Sequence, residues 1–455
     1  MPVAAQVLRH AESRPFHPAL HTPAGTLTYA ELAARALAVS PALLSGPGRP
    51  LVAISLREPA EVITAILAAD LAGATPLICD PAWGADRRAQ VLGTVAPDAV
   101  IDTLPAGERA ASPCHAHRPQ PGDLAWACFS SGSTGRPRAI VRNRWSWAGS
   151  FPHLDALTGL TADDVVLVPG PLVSSLYGFA AMHALAAGAT VVAPGRWSET
   201  ALAGQLDRAT VVHLVPHRLP AVLNALDGRE TLRVAVVGGA ALPEDTRVRA
   251  EAAGVRVVSY YGATEMSFVA ADADGKGLRA FPEVDIEVRP EPGGSPGVVW
   301  ARSPWLAEGY LSDGAGPLAR DAGGWVSVGD MAEPYLPGGV LTVRGRGGGA
   351  IQSGGATVVP EDVEEVLRCV PGVDDVVVIG LPHPELGQVV TAVVEGASVR
   401  RAMLEAVARV GLDAAQRPRR WFVVPRLDRT PTGKPARAVV AARLAAADPA
   451  FRRLA

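Results

Sequence analysis

Cysteine is scarce in this chain, and its placement is more telling than its number. Cys79, Cys114, Cys128 and Cys369 lie far apart with no CxxC pair, which argues against a zinc knuckle and against a disulfide-braced scaffold. No charge of one sign accumulates either. The 42 basic and 45 acidic residues leave a net charge of −3, with both signs dispersed, so the sequence carries no electrostatic footprint for nucleic acid or an anionic membrane. The opening stretch, MPVAAQVLRHAESRPFHPAL, places Arg9, His10 and Glu12 where a signal peptide needs an unbroken apolar core. The expected setting is a reducing cytoplasm. The most apolar stretch, residues 61–80, contains Glu61, Asp70 and Asp80 and is broken by Gly73 and Pro76, so it reads as a buried helix and strand, not a membrane span. Internal repeats and low-complexity tails are absent as well. Small molecules remain as the expected partners.

A length of 455 residues exceeds what one hydrophobic core usually serves and predicts at least two domains. Short runs rich in Val and Ile recur at 51–55, 75–79, 98–102, 164–168, 189–193, 210–215, 233–238 and 256–261, spaced by helix-like segments such as PAEVITAILAADLAG and YGFAAMHALAAG. That alternation predicts an α/β fold with mostly parallel, βα-layered sheets. After about residue 282 short strands separated by Gly, Pro and Asp predict an antiparallel subdomain. A glycine-rich run, residues 344–360, then suggests either a linker or a place where backbone approaches something closely. The expected boundary lies at Arg346, with a large domain over 1–346 and a small α+β domain over 347–455 that reads helix, strand, strand, helix, strand.

Four segments carry chemistry. FSSGSTGRPRAIVR, residues 129–142, follows a strand-like LAWACF. Its backbone N–H groups and hydroxyls suit an anion, although the spacing of Gly132 and Gly135 is not that of an NTPase P-loop and a flexible polar loop would look similar. YYGATEMS, residues 260–267, offers a ring, a hydroxyl and a carboxylate in Tyr261, Thr264 and Glu265 after a turn permitted by Gly262. This suits a base, a phosphate and Mg²⁺, or simply a strand end with a capping threonine. In WVSVGD, Asp330 ends an apolar run and suits ribose hydroxyls or a turn cap. In DRTPTGKPAR, Lys434 sits in a Pro/Thr-rich loop, where an exposed lysine is usually just solvated.

Taken in order, these segments and the glycine-rich run resemble the adenylate-forming superfamily of acyl-CoA and aryl-CoA synthetases, peptide-synthetase adenylation domains and luciferases, and among these the acyl-CoA ligases. FSSGSTGRPRAIV is similar to the family's YTSGSTGxPKGV, YYGATE to YGxTE, VGD to TGD, and TPTGKPAR to PxTxSGKxxR. The resemblance implies activation of a carboxylic acid as acyl-AMP with MgATP, then transfer to the thiol of coenzyme A. By motif, Ser131, Gly132, Ser133, Thr134, Gly135 and Arg138 would face the phosphates, and Tyr261 with Gly262 the adenine. Thr264 would hold the α-phosphate, Glu265 Mg²⁺, and Asp330 and Arg346 the ribose. Lys434 would bridge carboxylate and α-phosphate. Gly348 marks the hinge about which the small domain rotates, and Gly355 lines the thiol path. Val173, Ser174, Gly238, Gly239 and Ala240 would border a roomy apolar acyl pocket, and the stretch GPLVSSLYGFAAMHALAAG, residues 170–188, which corresponds to the region where amino-acid-activating relatives place an aspartate for the substrate ammonium, has none. A non-amino acid is therefore expected. A carrier protein is the other possible acceptor, and a homodimer is compatible with the reading.

The chain departs from the family pattern at several points. Arg138 stands for a lysine, Ala139 for a glycine, Gln352 for a lysine and Gly348-Gly349 for two aspartates, and RNRWSW replaces Thr-His, so that bulky Trp145 is expected to crowd a normally open place. These departures keep two alternatives in view: an enzyme that makes only the thioester from a preformed acyl-adenylate, and a catalytically idle nucleotide-binding scaffold. His213 and His217 read as substrate contacts or as core and surface histidines.

Overall fold

The computed structural model describes residues 3–43, 49–106, 119–130, 138–291, 294–311, 318–346, 351–358, 360–396, 399–428 and 437–454. The Val/Ile runs become strands, as their composition requires, and gather into two sheets. The nine-stranded sheet has six parallel central strands, in the order Arg256–Ala263, Val234–Gly238, Val211–Leu214, Val165–Leu167, Thr190–Val192 and Pro18–Thr22, with antiparallel strands at both edges. A six-stranded sheet holds Ala99–Ile101, Leu51–Ile54, Thr75–Ile78 and Leu124–Ser130 in parallel, then Arg138–Asn143 and Gly309–Tyr310 antiparallel.

Helix Pro59–Ala72 contacts strands of both sheets and buries every residue except Glu61. A helix apolar all round is what a layer between two sheets demands, and it explains the long hydrophobic stretch without a membrane. Among the described residues no helix is long and apolar enough to cross a bilayer. Helix Ser175–Ala187 is its counterpart nearer the site.

Residues 285–346 form the antiparallel sheet expected after residue 282. The fourth sheet is built from residues 351–453 around the long pair Asp375–His383 and Gly387–Glu395, with its own apolar core. Its helices Pro360–Arg368 and Arg401–Gly411 match the expected order. The hairpin Ile351–Ser353/Ala356–Val358 and helix Arg437–Ala445 go beyond the reading of the sequence. The hairpin hides in the glycine-rich run because its turn is Gly354-Gly355, with φ of +59° and +83°, the pair of left-handed residues that a two-residue hairpin loop needs.

Candidate functional site

The parallel strand Arg256–Ala263 carries the first site residues to its C-terminal end and hairpins back through Ser267–Asp272, the Met266 N–H donating to the Ala263 carbonyl at 3.0 Å. A bulge at Val269 shifts the register between Tyr261 and Gly262 and re-aims the chain that leads into Thr264 and Glu265. Gly262 is not the turn residue the motif suggested. It lies within the strand, where a Cβ would sit 2.0 Å from the Ser267 carbonyl oxygen, so the position requires glycine for close approach.

Tyr261 and Asp330 meet, the tyrosine hydroxyl donating to Asp330 Oδ2 at 2.8 Å. Asp330 starts strand Asp330–Ala332 instead of ending one, because Gly329 at φ +80° turns the chain just before it. Arg346 is its register partner across the sheet; of Arg346 only the backbone is described. Thr264 Oγ1 lies 2.9 Å from Ser175 Oγ, the first residue of helix Ser175–Ala187. Glu265 is 5% exposed, and its Oε1 accepts the Tyr310 hydroxyl at 3.0 Å.

These groups border one cavity of about 1160 Å³. Arg138, Val173, Ser174, Gly239, Ala240, Tyr261, Gly262, Thr264, Glu265, Asp330 and Gly355 all line it, so eleven residues singled out by motif converge. Gly355 enters from the fourth sheet. Its left-handed turn brings backbone against Val215, whose Cγ1 would lie 2.6 Å from any Cβ placed there. Ser131, Gly132, Ser133, Thr134, Gly135, Gly348 and Lys434 lie outside the described residues. The strands on either side of residues 131–137 are paired, with Ser130 opposite Arg138.

Two further expectations, Gly238 and Trp145, need correction, and the alternatives left for His213 are resolved. Gly238 does not line the cavity, because the Tyr260 ring takes the space beside it; a Cβ on Gly238 would fall 2.2 Å from Tyr260 Cζ. Trp145 crowds nothing in the site. It is half exposed, lies over Trp305 at a centroid distance of 6.0 Å, and leaves the cavity wall to Trp147. Its neighbour Arg144 turns away to pair with the buried Asp70. His213 is a core histidine, 3% exposed, and burial beside His183 lowers its pKa to about 3.

Arg142 is the group that motif reasoning passed over. It follows Arg138 by four residues in one strand, so both side chains take the same face, and both reach the cavity. That spacing was the available signal. Arg142 is 2% exposed. It donates to the carbonyls of Ser146 (2.5 Å), Thr264 (3.4 Å) and Trp305, and its guanidinium lies 5.1 Å from the Trp147 ring centroid. Burial lowers its pKa to about 10, opposed by the nearby Cys128 and Glu265, so it stays charged at neutral pH.

The carboxylate of Glu265 beside a threonine hydroxyl fits Mg²⁺, which is commonly held by one or two carboxylates together with substrate phosphates. Burial pushes the thiols of Cys79 and Cys128 up to about 12, so neither is a thiolate nucleophile near neutral pH.

Comparison with known proteins agrees with this geometry. The chain is 32% identical over 330 residues to the uncharacterized acyl-CoA ligase YhfT of Bacillus subtilis, covering 69% of this chain and 67% of the relative. The malonyl-CoA ligase ternary product complex with methylmalonyl-CoA and AMP superimposes with a TM-score of 0.77 at 28% identity, over 91% of this chain and 97% of the other. The fold of a double mutant of o-succinylbenzoate CoA synthetase (MenE) from Bacillus subtilis, bound with its product analogue OSB-NCoA, gives 0.84 at 23% identity over 97% and 99%. The same enzyme with the acyl-adenylate OSB-AMP gives 0.66 over 97% and 98%. The AMP-binding enzyme family matches residues 7–311 and the AMP-binding enzyme C-terminal domain matches residues 362–434, and this chain belongs to that family.

Proposed function

We propose that the protein is an acid–thiol ligase that activates a non-amino carboxylic acid as acyl-AMP with MgATP and transfers the acyl group to coenzyme A. One observation carries this reading: Thr264, Glu265, Tyr261 and Asp330 of the large domain share a single cavity with the Gly355 turn of the C-terminal sheet. Adenylation brings a carboxylate to the α-phosphate, so two anions must approach one another, and positioned donors and cations have to offset their repulsion. Thr264 would donate to the α-phosphate while Ser175 fixes its hydroxyl. Glu265 would hold Mg²⁺, which neutralises phosphate charge when bound. Asp330, oriented by Tyr261, would accept from the ribose. Arg138 and the residues 131–135 would face the outgoing pyrophosphate, where a guanidinium binds phosphate oxygens in a fork. Lys434 would bridge carboxylate and phosphate as a compact charge. Thioester formation then needs a narrow approach for a pantetheine arm, which the absence of a side chain at Gly355 favours.

The test offers a panel of carboxylic acids with MgATP and coenzyme A, then the matching acyl-adenylates without ATP. The ligase reading predicts acid-dependent ATP–pyrophosphate exchange that falls at least a hundredfold in Lys434→Ala. Thioester from supplied adenylates with no exchange for any acid would instead identify a thioester-only enzyme. No turnover in either arm would leave the idle scaffold.

A further inference from the structure

The stretch of cavity not needed by the nucleotide residues has a wall of aromatic rings. It begins where Ser175 meets Thr264. Phe179 stands one turn further along the same helix, about 6 Å along its axis. Ring contact then runs from Phe179 to Trp147 (centroids 5.4 Å, interplanar 62°) and to Phe268 (5.2 Å, 73°), and from Phe268 to Tyr260 (4.7 Å, 61°). All four rings line the cavity. Each contact is edge-to-face, which presents faces and C–H edges alternately, the arrangement that another flat ring complements and a methylene chain does not.

Behind Phe179 the helix continues to His183, 1% exposed, bonded to Asp155 at 2.7 Å and packed against Phe151 at 5.0 Å, so this wall is backed by core. A ring attached to a carboxylate at Thr264 meets Phe179 within about one helical turn. Nothing in the wall is acidic. Elsewhere in the cavity lining, Asp272, Asp330, Asp413 and Glu265 are bonded to Arg247, Tyr261, Arg87 and Tyr310, and Asp80 accepts from the Ala82 N–H; Glu244 is the sixth lining carboxylate.

We infer that the acid this site accepts is a compact aromatic carboxylic acid, its carboxylate at Thr264 and its ring seated against Phe179, Trp147, Phe268 and Tyr260. The inference rests on the ligase reading above and narrows it. Phe179 is its central specificity residue, since it touches Trp147 and Phe268 and stands on the helix that begins at Ser175.

The experiment measures pyrophosphate release by the full chain with MgATP, coenzyme A and benzoate, phenylacetate or 3-phenylpropionate, set against hexanoate, octanoate and palmitate. The best aryl acid should exceed the best straight-chain acid in kcat/KM by about tenfold or more. Phe179→Leu, which keeps apolar bulk and removes the ring, should bring that ratio below about threefold; a purely structural role would lower both acids alike and leave the ratio intact. Should Phe179→Leu fail to fold, binding of benzoyl- and octanoyl-sulfamoyladenosine to the unaltered protein by calorimetry gives the same comparison, again expected to favour the aryl compound about tenfold. Equal or better use of octanoate or palmitate, with tighter octanoyl binding, would overturn the aromatic assignment while leaving a working ligase. Absence of turnover with every acid, together with no binding of either sulfamoyladenosine, would overturn both.

Discussion

Arg142 is a guanidinium buried among neutral carbonyls, an arrangement that costs desolvation energy and persists only where geometry offsets it. Its bond to the Thr264 carbonyl and its field at Glu265 make it a positioning residue for the two groups proposed to hold the α-phosphate and Mg²⁺. Losing a hydrogen bond to a charged group costs about 1.5–3 kcal/mol, roughly ten- to a hundredfold. Arg142→Met is accordingly expected to lower kcat/KM for ATP by that factor in pyrophosphate exchange, with KM for the acid changed less than about threefold. Arg142→Lys should recover little, because one ammonium cannot span three acceptors. An acid KM that rises as much as the ATP KM would point to collapse of the whole site instead. At this scale the sequence was partly legible. The motifs picked out Tyr261, Thr264, Glu265 and Asp330, which line one cavity, but the bond between Tyr261 and Asp330 spans 69 residues of sequence and two sheets, which no local pattern encodes. Gly238 misled because a missing side chain looks the same whether a ligand or a neighbouring tyrosine fills the gap.

Strand Arg256–Ala263 and its return strand form the element on which the site depends most. Their bulge and the close approach at Gly262 fix where Thr264 and Glu265 emerge. Gly262→Ala would push a methyl into the Ser267 carbonyl, and overpacking of this kind costs typically about 1–3 kcal/mol. The expected outcome is a melting temperature lowered by several degrees and, at temperatures where the variant is fully folded, exchange activity reduced by about tenfold or more. Full activity in a folded Gly262→Ala would show that the Thr264 turn is not set by this contact. Strands were the most legible elements: every Val/Ile run named from the sequence is a strand, because burial on both faces of a parallel sheet demands an unbroken apolar run. The hairpin at 351–358 was not read because its strands are short and its turn is written in glycine, a residue equally at home in linkers.

Across the whole molecule, residues of the C-terminal part complete the cavity lining, and among the described residues an ion pair spans the junction: Arg87, in helix Ala85–Val95, reaches Asp413 after helix Arg401–Gly411 at 3.0 Å. In this arrangement the Gly355 turn, which the family resemblance puts on the thiol path, lines the cavity. Burial raises the Asp413 carboxyl above its ordinary value and Asp80 adds to the rise, while Arg87 opposes both. A raised carboxyl contributes stability that is present below the ordinary value and is lost as pH rises through the raised one, so near neutrality ionised Asp413 adds little net hold. The pair then selects an orientation more than it strengthens the fold. Arg87→Ala and Asp413→Ala are each expected to slow thioester formation from supplied acyl-adenylate by roughly fivefold, a coupling of about 1 kcal/mol. The double variant should be no slower than either single one. Pyrophosphate exchange should stay within about twofold, since the resemblance implies a small domain that rotates between adenylation and thioester formation and the Gly355 turn sits at the cavity in this orientation. Equal losses in both half-reactions, or additive losses in the double variant, would show that the two residues act separately and that this contact does not choose between the two states.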